Sequence, residues 1–218
     1  MMEELYTETV GAVLAGGRSA RFGSPKALAL LGGARLFERV LASQREVFSE
    51  VVLVTSQPEI YGGFDVPLVA DIHPGLGPAA GIHAALGWAV TRGARGVCIS
   101  PCDAPFLSSS LLRLLAGTAS LRDVAAVIPR SAGPLGYEPL FGWYGAEALP
   151  VLHSQLVAGS IPMHRLIHAL PSVHFVSGEE LIRFGVPNCV FHNVNTPSDL
   201  RFARELLPRP SADRPAGA

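Results

Sequence analysis

The sequence predicts an α/β protein, a three-layer, doubly wound, mostly parallel sheet of the Rossmann-like kind. Short apolar runs rich in β-formers alternate with stretches whose apolar residues recur at helical spacing along most of the chain. The first such run, "ETVGAVLA" at residues 8–15, breaks off in the pair Gly16 and Gly17 and is later followed by a helical pattern. Hydrophobic residues make up 49% of the chain and charged residues 16%, a balance that suits strands buried on both faces.

The elements follow in order. After the first strand, "ARLFERVLASQREVF" (34–48) reads as a helix, "EVVLVTS" (50–56) as a strand and "PLVAD" (67–71) as another. "GPAAGIHAALGWAVTRG" (77–93) is helical, and "GVCIS" (96–100) is a buried strand closed by Pro101. "SSSLLRLLAGTA" (108–119) reads as a helix capped by serine. "DVAAVIPR" (123–130) and "EPLFGWY" (138–144) read as strands, and "GAEALPVLHSQLVAG" (145–159) as a helix interrupted near Pro150. Parallel strands covered by helices gather ligands beyond their carboxyl ends.

With 218 residues the chain suits one domain, set at 1–207, with the Pro-rich remainder 208–218 as a disordered tail. The net charge of -1 predicts no broad nucleic-acid surface. The acidic start "MMEELYTET" has no apolar leader segment, and no later apolar run is long enough for a spanning helix, so a cytoplasmic protein without membrane association is expected. Cys98, Cys102 and Cys189 lack paired spacing; reduced thiols are expected, the first two in or near the core.

The stretch "LAGGRSARFGSPK" (14–26) concentrates chemistry. Gly16, Gly17 and Gly23 remove side chains where the first strand delivers its loop, so backbone N–H groups can approach a phosphate. Neither the Walker spacing nor the dinucleotide fingerprint is present. Arg18, Arg21 and Lys26 add three cations with no acid among them, which suits a polyphosphate; a glycine-rich turn with solvated arginines is the other reading. Lys26 is also the one lysine among 17 basic residues. A compact ammonium enters a crowded pocket between phosphates that a planar guanidinium does not.

Asp103 in "CISPCDAPFL" follows a buried strand and stands between prolines at the same carboxyl edge. A carboxylate there suits Mg²⁺, which takes one or two protein ligands and draws the rest from phosphate and water; the alternative is a helix cap, and the neighbouring glycine loop favours the metal. Asp71 also ends a strand and is either a partner for a guanine N1–H and amino group or a turn residue. Asn193 and Asn195 alternate in "FHNVNTPSDL" before a helix starting at Thr196-Pro197, either to grip an acceptor phosphate or to end a strand. Glu138 touches an acceptor or sits in a surface turn. His164 and His168, four apart on a helix, lack an evident third ligand.

Taken together, "LAGGRSARFG..K", "D...GLGPAAGI", "PCDAPFL", "EPLFGWY" and "NVNTPSDL" resemble, in order, the blocks of the molybdenum cofactor guanylyltransferases, over residues 10–206. The resemblance implies an α/β nucleotidyltransferase fold. It implies transfer of GMP from GTP, with Mg²⁺, to molybdenum-molybdopterin, giving a guanine dinucleotide cofactor and pyrophosphate. By the same resemblance Leu14, Ala15, Gly16, Lys26, Asp71 and Asp103 contact the nucleotide, with Gly17, Arg18 and Arg21 in the same loop. Asp103 holds the metal, Lys26, Arg21 and Asp103 are catalytic, and Asn193 and Asn195 face the pterin. Molybdopterin-synthesis proteins and molybdoenzyme chaperones are the implied protein partners. Two positions depart from the family pattern: Pro25 precedes the lysine, and Val54 stands where an asparagine is frequent. The pair Gly16-Gly17 favours GTP over CTP. A cytidylyl or sugar-phosphate transferase with the same loop, and a non-catalytic nucleotide-binding adaptor, are the rival expectations.

Overall fold

The computed structural model describes residues 4–16, 25–73, 75–159 and 162–207. Gly17, Arg18, Arg21 and the tail 208–218, to which the sequence attached expectations, lie outside the described residues.

Nine strands and eight α-helices are defined among them. In chain order they are β1 (Thr9–Leu14), β2 (Leu30–Leu31), β3 (Ala34–Arg35), α1 (Leu36–Arg45), β4 (Val51–Thr55), α2 (Pro58–Tyr61), β5 (Leu68–Ala70), α3 (Pro78–Val90) and β6 (Gly96–Pro101). Then come α4 (Ser109–Ser120), β7 (Ala126–Pro129), β8 (Trp143–Gly145), α5 (Leu149–Val157), α6 (Met163–Ala169), β9 (Val173–Val176), α7 (Gly178–Arg183) and α8 (Pro197–Leu206). Seven strands form one sheet in the order β5-β4-β1-β6-β8-β7-β9, and β2 and β3 make a separate hairpin. Only β8 runs antiparallel to its neighbours in the large sheet.

The layers follow from side-chain alternation. Along β1, Val13 faces a core that includes Phe37 of α1 and Leu111, Leu112 and Leu115 of α4. Val10 and Ala12 face the opposite core, with Ile82, Ala85 and Leu86 of α3 and Leu152 of α5. Both sides of the sheet are thus covered, as the continuous apolar strands require. Phe37 is fully buried and meets Tyr61 and Phe64 edge-on. Burial of such a ring contributes about 2 kcal/mol.

A buried polar contact links two layers of this core. Gln44 is fully buried and its Nε2 donates to Ser100 Oγ at 2.8 Å, tying α1 to β6. Gly11 leaves the room: a Cβ there would lie 2.4 Å from Gln44 Oε1.

Three elements differ from expectation. The helix expected over 34–48 spans Leu36–Arg45, because Ala34 and Arg35 pair in the hairpin and Phe48 bridges to Tyr6. "EPLFGWY" is not one strand: a 3₁₀ turn at Pro139–Phe141 precedes the short β8. Pro139 starts this turn, and its carbonyl accepts from Tyr144 Oη at 2.6 Å. Pro150 lies in the first turn of α5, where no N–H is required, so it starts that helix instead of interrupting it. The expected serine cap is Ser108, whose Oγ accepts from Leu111 N at 3.3 Å. Among the described residues no helix is long and apolar enough to cross a membrane.

The chain passes from β1 outward through β4 to β5, then returns to place β6 on the other side of β1. The strand order therefore reverses between β1 and β6, and their carboxyl ends open the crevice where ligands bind in such sheets.

Candidate active site at the carboxyl ends of β1 and β6

Two paired strands end together here. Leu14 is in register with Pro101, and Cys102 N donates to Leu14 O at 3.1 Å, so the chain leaving β6 is held against the end of β1. Cys102 and Ala104 are both buried, which pins the backbone on either side of Asp103. Asp103 itself is only 5% exposed. Burial, with a smaller effect of the Asp103 charge, pushes the Cys102 thiol up to about 12, so it stays protonated at neutral pH.

Lys26 comes from the other side. Pro25, at φ −58°, starts a 3₁₀ turn over Lys26–Leu28 in which Ala27 is buried. The departure at Pro25 thus has a local reason: the ring fixes the turn that turns Ala27 inward and leaves the Lys26 side chain at the surface of the crevice. The Lys26 ammonium makes an ion pair with Asp103 Oδ2 and donates to Asn195 Oδ1 at 2.8 Å. Side-chain exposures of 24% and 8% for Lys26 and Asp103 place the pair partly out of water.

Asn195 is set by the start of α8. Asp199 Oδ2 accepts from Asn195 N at 2.9 Å and from Thr196 N at 2.8 Å, while Thr196 Oγ1 accepts from Asp199 N at 3.2 Å. This reciprocal cap closes the helix end and fixes the backbone at Asn195. Fully buried Val194 donates its N–H to Asp103 O at 2.8 Å, which binds the segment to the β6 loop. The segment is a loop and not a strand end. Asn193 Oδ1 is buried with no hydrogen-bond partner among the described residues. Asp199 was missed by sequence reasoning, although the Thr196-to-Asp199 spacing is a visible capping signal.

The remaining expected residues spread along the same edge. Ala15 N donates to Val54 O at 2.8 Å, continuing the ladder past β1. Gly16 has no positive φ, and a Cβ there would meet no described atom within 4 Å. Neither its own backbone nor a described neighbour demands glycine, whereas a close ligand would. Val54 is buried in the α3-side core, so it offers no polar group. Thr55 beside it is structural, its Oγ1 donating to Ala15 O at 3.2 Å.

Asp71 stands beyond β5, three strands from β6, and its Oδ1 accepts from His73 N at 2.9 Å. His73, His83 and His153 lie nearby, with ring centroids of the first and second, and of the second and third, 5.6 Å apart. Burial holds His83 below its usual pKa, helped by His153 and His73 and opposed by Asp71. Glu138 takes the Ser131 hydroxyl on Oε1 at 2.7 Å and is not part of the Lys26 cluster. His164 and His168 are both exposed on α6.

The arrangement can hold a cation. Asp103 and Asn195 present two hard oxygens to the Lys26 ammonium, a stand-in for a small cation. Among the described residues no group of three or more His, Cys, Asp or Glu is placed to hold a metal alone. One carboxylate, helped by phosphate oxygens, fits Mg²⁺.

A sheet of this order, with a lysine–aspartate pair at the reversal point and Gly16 just past the end of β1, defines a nucleotide-handling α/β enzyme. The MobA-like NTP transferase domain model matches residues 11–173, and the chain belongs to that family, as a nucleotidyltransferase. It is 35% identical over 200 residues to a probable molybdenum cofactor guanylyltransferase of Pelotomaculum thermopropionicum, covering 91% of this chain and 93% of the relative. It is also 32% identical over 200 residues to a molybdenum cofactor guanylyltransferase of Desulfosudis oleivorans, covering 90% and 95%. The crystal structure of molybdopterin-guanine dinucleotide biosynthesis protein A from Archaeoglobus fulgidus superposes with a TM-score of 0.77 at 28% identity, covering 90% of this chain and 97% of that one.

Proposed function

We propose that this chain transfers GMP from GTP to the phosphate of molybdenum-molybdopterin, forming the guanine dinucleotide cofactor and releasing pyrophosphate. The observation that carries the reading is the Lys26 ammonium held against Asp103 and Asn195 at the reversal point of the sheet. The relatives' names supply the substrates.

The chemistry needs no general base, because a phosphate monoester is already ionised at neutral pH. An acceptor oxygen attacks the α-phosphorus of GTP as the bond from that phosphorus to the bridging oxygen breaks, and pyrophosphate carries away the electron pair. Lys26 places positive charge where that charge develops, and Arg18 and Arg21 extend it from the glycine loop. Leu14, Ala15, Gly16 and Gly17 give the triphosphate a backbone surface, and Asp71 takes the guanine end. Asp103 would hold Mg²⁺, which when bound neutralises phosphate charge. Asn193, Asn195 and Glu138 face the acceptor. This is a single transferase domain over 1–207 working in the cytoplasm, receiving its acceptor from molybdopterin-synthesis proteins and passing product to molybdoenzyme chaperones.

Incubation with GTP, Mg²⁺ and molybdenum-molybdopterin is expected to give pyrophosphate and the guanine dinucleotide together. CTP and UTP should give at most a small fraction of that rate. Faster reaction with CTP, or with a sugar phosphate as acceptor, would identify a rival transferase; GTP binding with no product would identify an adaptor.

A further inference from the structure

Along the carboxyl edge of the sheet stand, in strand order, Asp71 beyond β5, Gly16 beyond β1, Asp103 beyond β6, Glu138 where the chain enters antiparallel β8, and Arg130 beyond β7. Neighbouring strands lie about 4.8 Å apart, so Arg130 stands about 10 Å from Asp103 along the edge, on the side away from Asp71.

Arg130 is fixed at its backbone, while its charge has no ion-pair partner among the described residues. Its N–H donates to Val176 O at 2.8 Å, and it bridges Tyr137 in antiparallel register. The guanidinium carbon lies 4.2 Å from the Phe175 ring centroid, and the Tyr137 ring is 5.3 Å from Phe175. Arg130 is exposed and makes no ion pair among the described residues. Stacking alone is no sign of a site: Arg92 also lies over Trp88, at 3.7 Å. That pair, however, sits at the C-terminal end of α3, Trp88 in its last turn and Arg92 just beyond it, whereas Arg130 stands on the edge that carries Lys26 and Asp103.

We propose that Arg130 binds the pterin ring of the acceptor, with Phe175 backing the guanidinium. This rests on the transfer reading above. With the reacting phosphates at Lys26 and Asp103 and the guanine end of the nucleotide toward β5, the rest of the acceptor extends along β8 and β7. A pterin is a flat heterocycle with a carbonyl oxygen and ring nitrogens that accept hydrogen bonds. A guanidinium offers it a planar cationic face and a fork of donors, and Phe175 holds that plane before the ligand arrives. Glu138, one residue past the bridge partner Tyr137, already has Oε1 committed to Ser131 and so stays beside the same surface.

The test uses the full chain and the variants Arg130→Ala, Arg130→Lys and Phe175→Leu, each checked by thermal melting. Arg130→Ala should raise the acceptor KM about tenfold or more, leaving the GTP KM and the kcat at saturating acceptor within about twofold. Arg130→Lys keeps the charge and loses the plane, so it should recover only part of the affinity. Phe175→Leu should raise the acceptor KM about threefold. An unchanged acceptor KM in Arg130→Ala, with wild type forming the dinucleotide, overturns the role of Arg130 and leaves the transfer reading intact. Direct binding of a pterin monophosphate, followed by its own fluorescence, separates the two further. Weakened pterin binding in Arg130→Ala supports the site even where wild type forms no guanine product, a result that sinks the transfer reading alone; equal binding sinks the site.

Discussion

Asn195 stands at a junction: its backbone is fixed by Asp199 and its side-chain oxygen accepts from the Lys26 ammonium at 2.8 Å. Asn195→Ala therefore tests whether this residue acts through the lysine. A hydrogen bond to a charged donor contributes about 1.5–3 kcal/mol. Asn195 is exposed and Lys26 is a quarter exposed, so screening reduces this to about 1 kcal/mol. That is about a fivefold loss in kcat/KM for Asn195→Ala. Lys26→Ala removes a donor aimed at the developing charge and should cost about 10²–10³-fold in kcat.

The double variant decides the matter. In the Lys26→Ala background no ammonium faces residue 195, so Asn195→Ala should lower kcat/KM less than about twofold. The assay is steady-state pyrophosphate release with GTP and acceptor varied independently. Effects of the two substitutions that add, within about 0.3–0.5 kcal/mol, would refute the coupling. Additivity accompanied by a raised acceptor KM would reassign Asn195 to direct acceptor contact.

Other perturbations address the frame around the site. Gly11→Ala drives a Cβ to 2.4 Å from Gln44 Oε1 and 2.9 Å from Phe48 Cδ2 in a filled core; about 1–3 kcal/mol of stability should be lost, read as a lower denaturant midpoint. Asp199→Ala opens the cap that holds Asn195 and Thr196, so about 1 kcal/mol of stability and part of the kcat/KM should go together; loss of stability with full activity would detach the cap from the site. His83 is held below its usual pKa of about 6.5, first by burial and then by His153 of α5 and the preceding loop's His73, with Asp71 opposing. The folded form then binds fewer protons than the unfolded one, so this contribution is complete above the unfolded value and is lost as pH falls through the folded one. The melting temperature should fall from pH 7.5 toward 5.5, and His83→Phe should flatten that slope; equal slopes would remove the cause.

Much of this frame was legible in the sequence because buried parallel strands are continuous apolar runs. "GAVLA", "VVLV" and "GVCIS" each became a central strand, and the residues that end them, Gly16 and Asp103, met at one edge as alternation predicts. "EPLFGWY" misled because its aromatic content reads as strand, while Pro139 and Gly142 impose a turn before β8 begins. The juxtaposition of Lys26 with Asn195, 169 positions apart, could not be read from local pattern: it depends on α8 folding back beside the β2–β3 hairpin. Arg130 was invisible for a similar reason. Its place in the row is given by the strand order, and the position of β8 between β6 and β7 is a property of the whole sheet.

The solitary lysine can now be argued from its surroundings. Its ammonium must satisfy oxygens from two segments, the β6 loop and the α8 cap, that are themselves joined by the bond from Val194 N to Asp103 O at 2.8 Å. Those oxygens cannot separate without breaking that bond or moving Ala104 and Val194, both fully buried. A single tetrahedral nitrogen on a thin stem fits between them, whereas a guanidinium spreads its donors over a plane and needs a wider opening. Lys26→Arg keeps the charge, so a purely electrostatic role predicts nearly full activity. The geometry predicts instead a loss of about tenfold or more in kcat, with GTP binding less affected, because the arginine's charge is displaced from where pyrophosphate leaves. An arginine enzyme turning over at the wild-type rate would mean that charge alone suffices here and that the fixed spacing of Asp103 and Asn195 has no part in catalysis.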